Sequence, residues 1–372
     1  MSKATKIVHI MPHIHTGGAE HQLYELITHS DPNRMEHEVL YYSHSKDYEC
    51  YRLYDQGGVQ YSRVPRNKYH PVRFVREFGS EIRQRKPDIV HCWLESGNFW
   101  GRLAAISSGV KPIIVAWRNC SIYRLTGMRV CETLTSGRVT HLANSRACAD
   151  YIGKKLWLSP SRFTVVYNGL DAAKFDLPDK RNEVFSQLNI PSDHKIVTMI
   201  GRLAPQKNYP MLIHAAQKAK QKGLPLHFII AGGGDLSESL ASLTQQLQVE
   251  DIVHFIGVRN DIPELLSSSD IFLFTTNFEG FPNALLQSMA ARLPVVTTDF
   301  AGADELIQNG QNGIIVPMND ADAAVDALSR YLNDPKKAKE YGEHAHSFVE
   351  SSFSNERMVE ETEKLYRKLL SP

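Results

Sequence analysis

Short apolar runs alternate with helical patterns along most of this chain, and the alternation begins afresh midway. In the first half KIVHIMP, HEVLYYS, VQYSRVP, DIVHCWL, PIIVAW, THLANS and FTVVYNG are separated by stretches such as EHQLYELI, FVREFGSEIRQR and NFWGRLAAISS. Strands joined by helix-length crossovers pair in parallel, and a parallel sheet is covered by helices on both faces. The second half repeats the pattern through KIVTMIG, LHFIIAG, IVHFIG, DIFLFTT, PVVTTD and GIIVP, with ADELIQ read as a helix before the last strand. The expected fold is α/β, two doubly wound Rossmann-like domains with a ligand cleft between the carboxyl ends of their sheets. Leu170 to Lys195, polar and carrying Pro178 and Pro191, reads as the linker. After Pro317 the pattern is helical only, and the last segment lines up Met358, Val359, Thr362, Leu365, Tyr366 and Leu369 on one stripe. That stripe requires a surface, which either domain can supply.

A chain of 372 residues is long enough for two such domains, and 42% hydrophobic with 22% charged residues excludes a disordered or fibrous protein. No apolar run approaches the roughly eighteen residues of a membrane span, and Met1 to Lys6 has no signal-peptide core. The expectation is a cytoplasmic protein whose membrane contact, if any, is peripheral. Five cysteines without a CxxC pair point to reduced thiols. Net charge is +1, yet residues 1–178 hold 24 Lys/Arg against 16 Asp/Glu, and the remainder 18 against 25. A basic first half draws an anionic ligand or an anionic membrane; a solvated face explains it equally.

Chemistry concentrates at expected strand ends. NFEGFPNALLQSMAARLPVV, Asn277 to Val296, joins a strand end, a Gly-Pro turn and a helix start, with Glu279 at its mouth, Asn283 as the expected cap, and Leu285, Leu286 and Met289 on one helix face. A helix start offers unpaired N–H groups and partial positive charge to an anion. In GRLAPQKN, Arg202 and Lys207 leave one strand end together, a guanidinium fork and a point charge suited to a diphosphate. AGGGDL, Ala231 to Leu236, is a second glycine-rich corner, and HTGGAE, with Gly17 and Gly18, a third that is not a GxGxxG fingerprint. Together these corners point to a phosphorylated ligand, a nucleotide first among candidates, held by the second domain. His9, His13, His15 and His21 read as polar lining, since no carboxylate stands at ligand spacing. His91 ends the apolar strand of DIVHCWLESGN, a position aimed into the cleft, with a core packing histidine as the alternative. Arg118, beside Asn119, requires an anionic partner if buried. GxSxG, Walker A and HExxH motifs are missing.

GGAE, ANS (Ala143 to Ser145), YNGLD (Tyr167 to Asp171), GRLAPQKN, AGGGDL, FEGFPNALLQSMAARLPVVTTD and NGIIVP resemble, in order and spacing, the retaining glycosyltransferases of family 4, which have the GT-B fold. The resemblance runs nearly end to end. It implies residues 1–175 as an acceptor-side domain joined by a C-terminal helix, 355–372, that crosses back to it, and 176–354 as the donor domain. It implies a nucleotide-diphospho-sugar donor, no cofactor, no metal, and a glycan or lipid-linked acceptor in polysaccharide, glycolipid or lipid-linked glycan synthesis. Arg202 and Lys207 match the pair that neutralises the diphosphate. Glu279 matches the acid on the sugar hydroxyls, Gly280, Phe281 and Pro282 the backbone lining the sugar, and Asn283, Ala284 and Leu285 the N–H groups near the phosphates. Gly201 and Gly233 match the donor-side glycine turns, and Gly17 with Gly18 the loop that closes on the donor.

Two positions depart from the pattern. Gln287 stands where the family usually has a second Glu holding the ribose, and an amide loses charge assistance of about 1 kcal/mol. Arg118 stands where several members place a His, which leaves the acceptor-side role to Arg118, to His91, or to neither. The expected reaction is retaining transfer to a hydroxyl, without a protein nucleophile. A nucleotide-sugar epimerase or phosphorylase of the same fold, and a non-catalytic nucleotide-sugar-binding protein, are the alternatives. NKYHPVRFVREF (Asn67 to Phe78) and KKLWL (Lys154 to Leu158) are basic and aromatic enough to lean on an anionic membrane at its inner face, or to pack apolar stems with snorkelling cations. No nucleic-acid partner is expected.

Overall fold

The computed structural model describes residues 4–15, 17–44, 48–66, 70–122, 126–181, 185 and 188–371. Two compact units divide the chain, one of residues 1–169 with 355–372 and the other of residues 170–354.

In the first unit β1 (Thr5–Met11), β2 (Met35–Tyr41), β3 (Gln60–Arg63), β4 (Ile89–Trp93), β5 (Ile113–Trp117), β6 (Thr140–Ala143) and β7 (Phe163–Val165) form a sheet of order β3-β2-β1-β4-β5-β6-β7, every pairing parallel. The crossovers are α1 (Gly18–His29), α2 (Tyr48–Gln56), α3 (Pro71–Arg85), α4 (Leu94–Ser108), α5 (Thr126–Thr135) and α6 (Arg146–Leu156). Strand alternation sends Val8 and Ile10 to one apolar layer with Phe74, Phe78 and Val115, and Ile7 and Met11 to the other with Leu23, Ile114 and Tyr366. Burial on both faces is the reason these strands read as continuous apolar runs.

In the second unit β8 (Lys195–Ile200), β9 (Leu226–Ala231), β10 (Val253–Phe255), β11 (Ile271–Phe274), β12 (Val295–Thr298) and β13 (Ile314–Val316) form a parallel sheet of order β10-β9-β8-β11-β12-β13. They alternate with α7 (Tyr209–Gln221), α8 (Ser237–Gln246), α9 (Ile262–Ser267) and α10 (Asn283–Ala290), and α11 (Ala321–Asn333) and α12 (Pro335–Ser352) follow. ADELIQ is not a helix: it makes only a 3-10 turn over Ala303–Glu305. Between the left-handed Gly302 and the Asn309-Gly310 corner the segment is too short to repay helix nucleation.

Leu170 to Lys195 is not a free linker either, because Phe175 and Phe185 are buried and Phe185 joins Ile196, Ile229 and Leu265 in the second unit's core. A polar average conceals two aromatic anchors. The stripe on α13 (Asn355–Leu370) finds its surface on the first unit: Met358, Val359, Leu365 and Tyr366 enter its core, and Asn355 Nδ2 donates to Glu25 Oε2 at 2.7 Å. Among the described residues no helix is long and apolar enough to cross a membrane, and the five cysteines are free.

Candidate active site

Each sheet grows in both directions from its first strand, so each has a switch point, between β1 and β4 in one unit and between β8 and β11 in the other. Crossovers leave such a point on opposite faces, opening a crevice at the carboxyl ends of the two strands. Sequence places Gly201 and Arg202 directly after β8, and Thr275 to Glu279 directly after β11.

The two strand ends are laced together. Pro205–Lys207 forms a 3-10 turn, and Asn208 is left-handed before α7. Asn277 N–H donates to the Gln206 carbonyl at 2.8 Å, Thr276 Oγ1 to the same oxygen at 3.0 Å, and Thr275 Oγ1 to the Lys207 carbonyl at 3.1 Å. Against this lattice Lys207 Nζ meets Glu279 Oε1 at 2.6 Å, with the Phe274 ring centroid 4.9 Å from the ammonium. The carboxylate also accepts from Thr276 Oγ1 at 2.8 Å on Oε1 and from Gln206 Nε2 at 3.1 Å on Oε2. A buried carboxylate is costly unless paired and hydrogen-bonded, and Glu279 has a cation and two neutral donors. Arg202 is exposed and makes no hydrogen bond or ion pair among the described residues. One cation is thus held in place and the other is available, an arrangement suited to an incoming polyanion.

Gly232 to Gly234, after β9, lie against the turn after β8. Gly232 has φ 151°, a side chain on it would strike the Gly201 carbonyl, and one on Gly234 would crowd the Leu203 backbone. The Gly233 carbonyl accepts from Leu203 N–H at 2.9 Å. These glycines bring two turns backbone to backbone. At α10 the expected cap is corrected: Pro282 occupies the cap position and caps with no side chain, while Asn283 is the first helical residue. The first turn's N–H groups, through Ala284 and Leu285, precede the first intrahelical bond, Leu286 N–H to the Pro282 carbonyl at 3.1 Å. Phe281 is buried, with its ring packed against Phe353. Gln287 is half-buried one turn into the helix.

The first unit's candidates are arranged differently. Gly17 caps α1 in extended geometry beside the Glu20 carboxylate, and Gly18 begins the helix. His91 does not end its strand. It is third of five residues in β4, 0% exposed, with Nδ1 2.8 Å from the Tyr366 hydroxyl and its ring stacked 4.6 Å from Trp93. Burial, with Arg118 nearby, lowers its pKa well below the ordinary imidazole value. Nor is His9 polar lining: it is buried in register with His91, accepts from Trp93 Nε1 at 3.1 Å on Nδ1, and lies 2.8 Å from His37 Nδ1 through Nε2. Arg118 has no carboxylate partner among the described residues. Its guanidinium donates to Asn168 Oδ1 at 2.7 Å and lies 4.9 Å from the Trp93 ring centroid, and burial lowers its pKa to about 10. The required acid is replaced by an amide dipole and a π face. Among the described residues no group of three or more His, Cys, Asp or Glu is placed to hold a metal.

Gln206 and Thr276 were not legible as site residues, although Thr276 is a polar residue at the end of an apolar strand. Two doubly wound parallel sheets in tandem, with this crevice in the second, define the GT-B class. Residues 16–174 match the family described as Glycosyltransferase Family 4, and residues 180–348 match Glycosyl transferases group 1. The chain belongs among the glycosyltransferases of the GT-B fold. It is 26% identical over 300 residues to the Escherichia coli UDP-Gal:alpha-D-GlcNAc-diphosphoundecaprenol alpha-1,3-galactosyltransferase, covering 77% of this chain and 76% of the relative. It is 29% identical over 201 residues to a Campylobacter jejuni transferase, N-acetylgalactosamine-N,N'-diacetylbacillosaminyl-diphospho-undecaprenol 4-alpha-N-acetylgalactosaminyltransferase, covering 54% of this chain and 52% of that one. Anabaena HepE in complex with UDP-glucose shares the fold with TM-score 0.86 at 20% identity, covering 98% of this chain and all of that one.

Proposed function

We propose that this glycosyltransferase moves a sugar from a nucleotide-diphospho-sugar to a hydroxyl with retention at the anomeric carbon and without a metal. The observation that carries this reading is the Lys207–Glu279 pair, braced by Thr276 and Gln206 at the β8–β11 switch point. Arg202 and Lys207 neutralise the donor diphosphate, and the N–H groups at Asn283 to Leu285 and the turns at Gly201 and Gly233 support it. Glu279 and the backbone of Gly280 to Pro282 hold the sugar, and Gln287 holds the ribose with an amide. Gly17 and Gly18 close on the donor.

Glu279 is bound by three donors, which suits it to positioning better than to attack on carbon. The bond from the anomeric carbon to phosphate oxygen breaks as the bond to the acceptor oxygen forms on the same face. The acceptor proton passes to the departing phosphate, whose charge the two cations stabilise. His91 acts by packing, and Arg118 is the first unit's cation for an acceptor anion. The relatives that use diphospho-undecaprenol acceptors support a lipid-linked or polysaccharide acceptor in a bacterial-type pathway at the inner face of the membrane.

A thermal-shift panel of UDP-, GDP- and ADP-sugars tests donor binding, with one nucleotide class expected to raise Tm. NMR of the product reads the anomeric configuration. Inversion, or transfer abolished by EDTA and restored by a divalent ion, overturns the mechanism, and no shift with any of the three classes overturns the donor assignment.

A further inference from the structure

Three large apolar side chains of the first unit lie in the open on α5 and just beyond α6: Val130 is 41% exposed, Leu134 80% and Trp157 70%. Val130 and Leu134 are one helical turn apart on α5 and share a face. Thr133 Oγ1 donates to the Leu156 carbonyl at 3.0 Å, which brings the end of α5 against the end of α6 and sets Leu134 and Trp157 on neighbouring segments. Trp157 takes the left-handed C-cap of α6 at φ 55°, ψ 38°, a conformation that glycine adopts most cheaply. A strained backbone that carries an open indole is not accounted for by folding.

Charge around this face is predominantly positive, with Asp150 its one exposed acid between residues 126 and 162. Between residues 126 and 162 the cations are Arg129, Arg138, Arg146, Lys154, Lys155 and Arg162, and the acids are only Glu132 and Asp150. Glu132 is buried against Arg102, so it does not offset the surface. Lys154, Lys155, Arg138 and Arg162 are exposed. An indole and aliphatic side chains rimmed by cations match the chemistry of an anionic bilayer, with the rings at the headgroup level and the cations on phosphates. A protein partner of ordinary composition offers no such continuous negative surface. We propose that the α5–α6 face, centred on Trp157 and Leu134, docks this protein on an anionic membrane. Of the two basic-aromatic stretches, this favours Lys154 to Leu158; in the other, Asn67 to Tyr69 lie outside the described residues.

Flotation of the full chain with vesicles of phosphatidylglycerol and phosphatidylcholine tests the docking, beside vesicles of phosphatidylcholine alone. Binding is expected only to the anionic vesicles, with weakening as salt rises. Leu134→Glu and Lys154→Glu/Lys155→Glu are each expected to lower partitioning by about tenfold. Trp157→Gly removes the backbone strain, so its Tm is expected to stay level or rise while vesicle binding falls; a structural role for the indole predicts the reverse. Val72→Glu, on α3, keeps full binding. Equal binding to both vesicle types, undiminished binding by Trp157→Gly, or loss of binding by Val72→Glu instead, overturns the proposal. So does a dimer in sedimentation velocity that dissociates in Leu134→Glu without vesicle binding by the parent chain. These readouts are independent of sugar transfer.

Discussion

At the switch point of the second sheet Lys207 and Glu279 face each other as ions, whereas at that of the first, His9 and His91 stand in register with ring centroids 5.4 Å apart. The topology is the same and the electrostatics are opposite. In the second unit the ion pair lies beyond the strand ends, where hydrogen bonds from two loops hold it and an exposed Arg202 adds charge. In the first the imidazoles lie within the strands, where burial keeps them neutral: Trp93 Nε1 donates to His9 Nδ1, so a neutral His9 carries its proton on Nε2 and donates to His37. A group past the last strand residue can keep its charge and exchange partners with a ligand. One that is a residue or two further back becomes packing.

The largest test of this contrast is Lys207→Ala. It is expected to reduce kcat by about 10³-fold or more while the protein remains folded, because the leaving diphosphate loses its point charge. His91→Asn is expected to lower Tm and spare kcat; an equal loss of kcat in both breaks the comparison. Glu279→Gln keeps the shape and removes the charge, and steady-state kinetics are expected to show about a 10²-fold loss.

Acid titration reads the buried imidazoles of both units on a smaller scale, since burial also lowers His227 of the second unit to about 4. Burial lowers His37 from 6.5 to about 4, so between those values the unfolded chain binds the extra proton. The contribution is complete above about 6.5 and diminishes as pH falls toward 4, by about 3 kcal/mol. Denaturant melts from pH 7 to 4 are expected to show this slope together with those of His141 and His227, and His37→Gln to make it shallower without removing it. Tyr366→Phe leaves the buried His91 Nδ1 without its hydroxyl and is expected to lower the melting stability by about 1–2 kcal/mol. Gln287→Glu is expected to tighten the nucleotide-sugar by about 1 kcal/mol in calorimetry; unchanged affinity places Gln287 away from the ribose.

Much of the candidate site was legible because its residues are local in the chain. Glu279, Pro282 and the α10 start are contiguous, and Arg202 and Lys207 leave one strand end within a short loop, so strand-end logic finds them without coordinates. Gln206 and Thr276 were not visible as a clamp, since the atoms that meet are 70 residues apart in the chain. The sequence leaves His91 between edge and core because an apolar run locates a strand but not its last residue, and one or two positions separate an edge side chain from a core one.

Periodicity and turn chemistry, which act over a few residues, were enough to specify two doubly wound parallel sheets, to point to an anion-friendly crevice on the second, and to mark an amphipathic last helix in need of a surface. The folded chain adds that this helix belongs to the first unit, that His9 and His91 are buried within their strands, that Arg118 has Asn168 and Trp93 rather than an acid, and that Lys207 is held by Glu279. Each of these depends on which distant side chain fills the space beside a buried polar group, and local pattern carries no record of that.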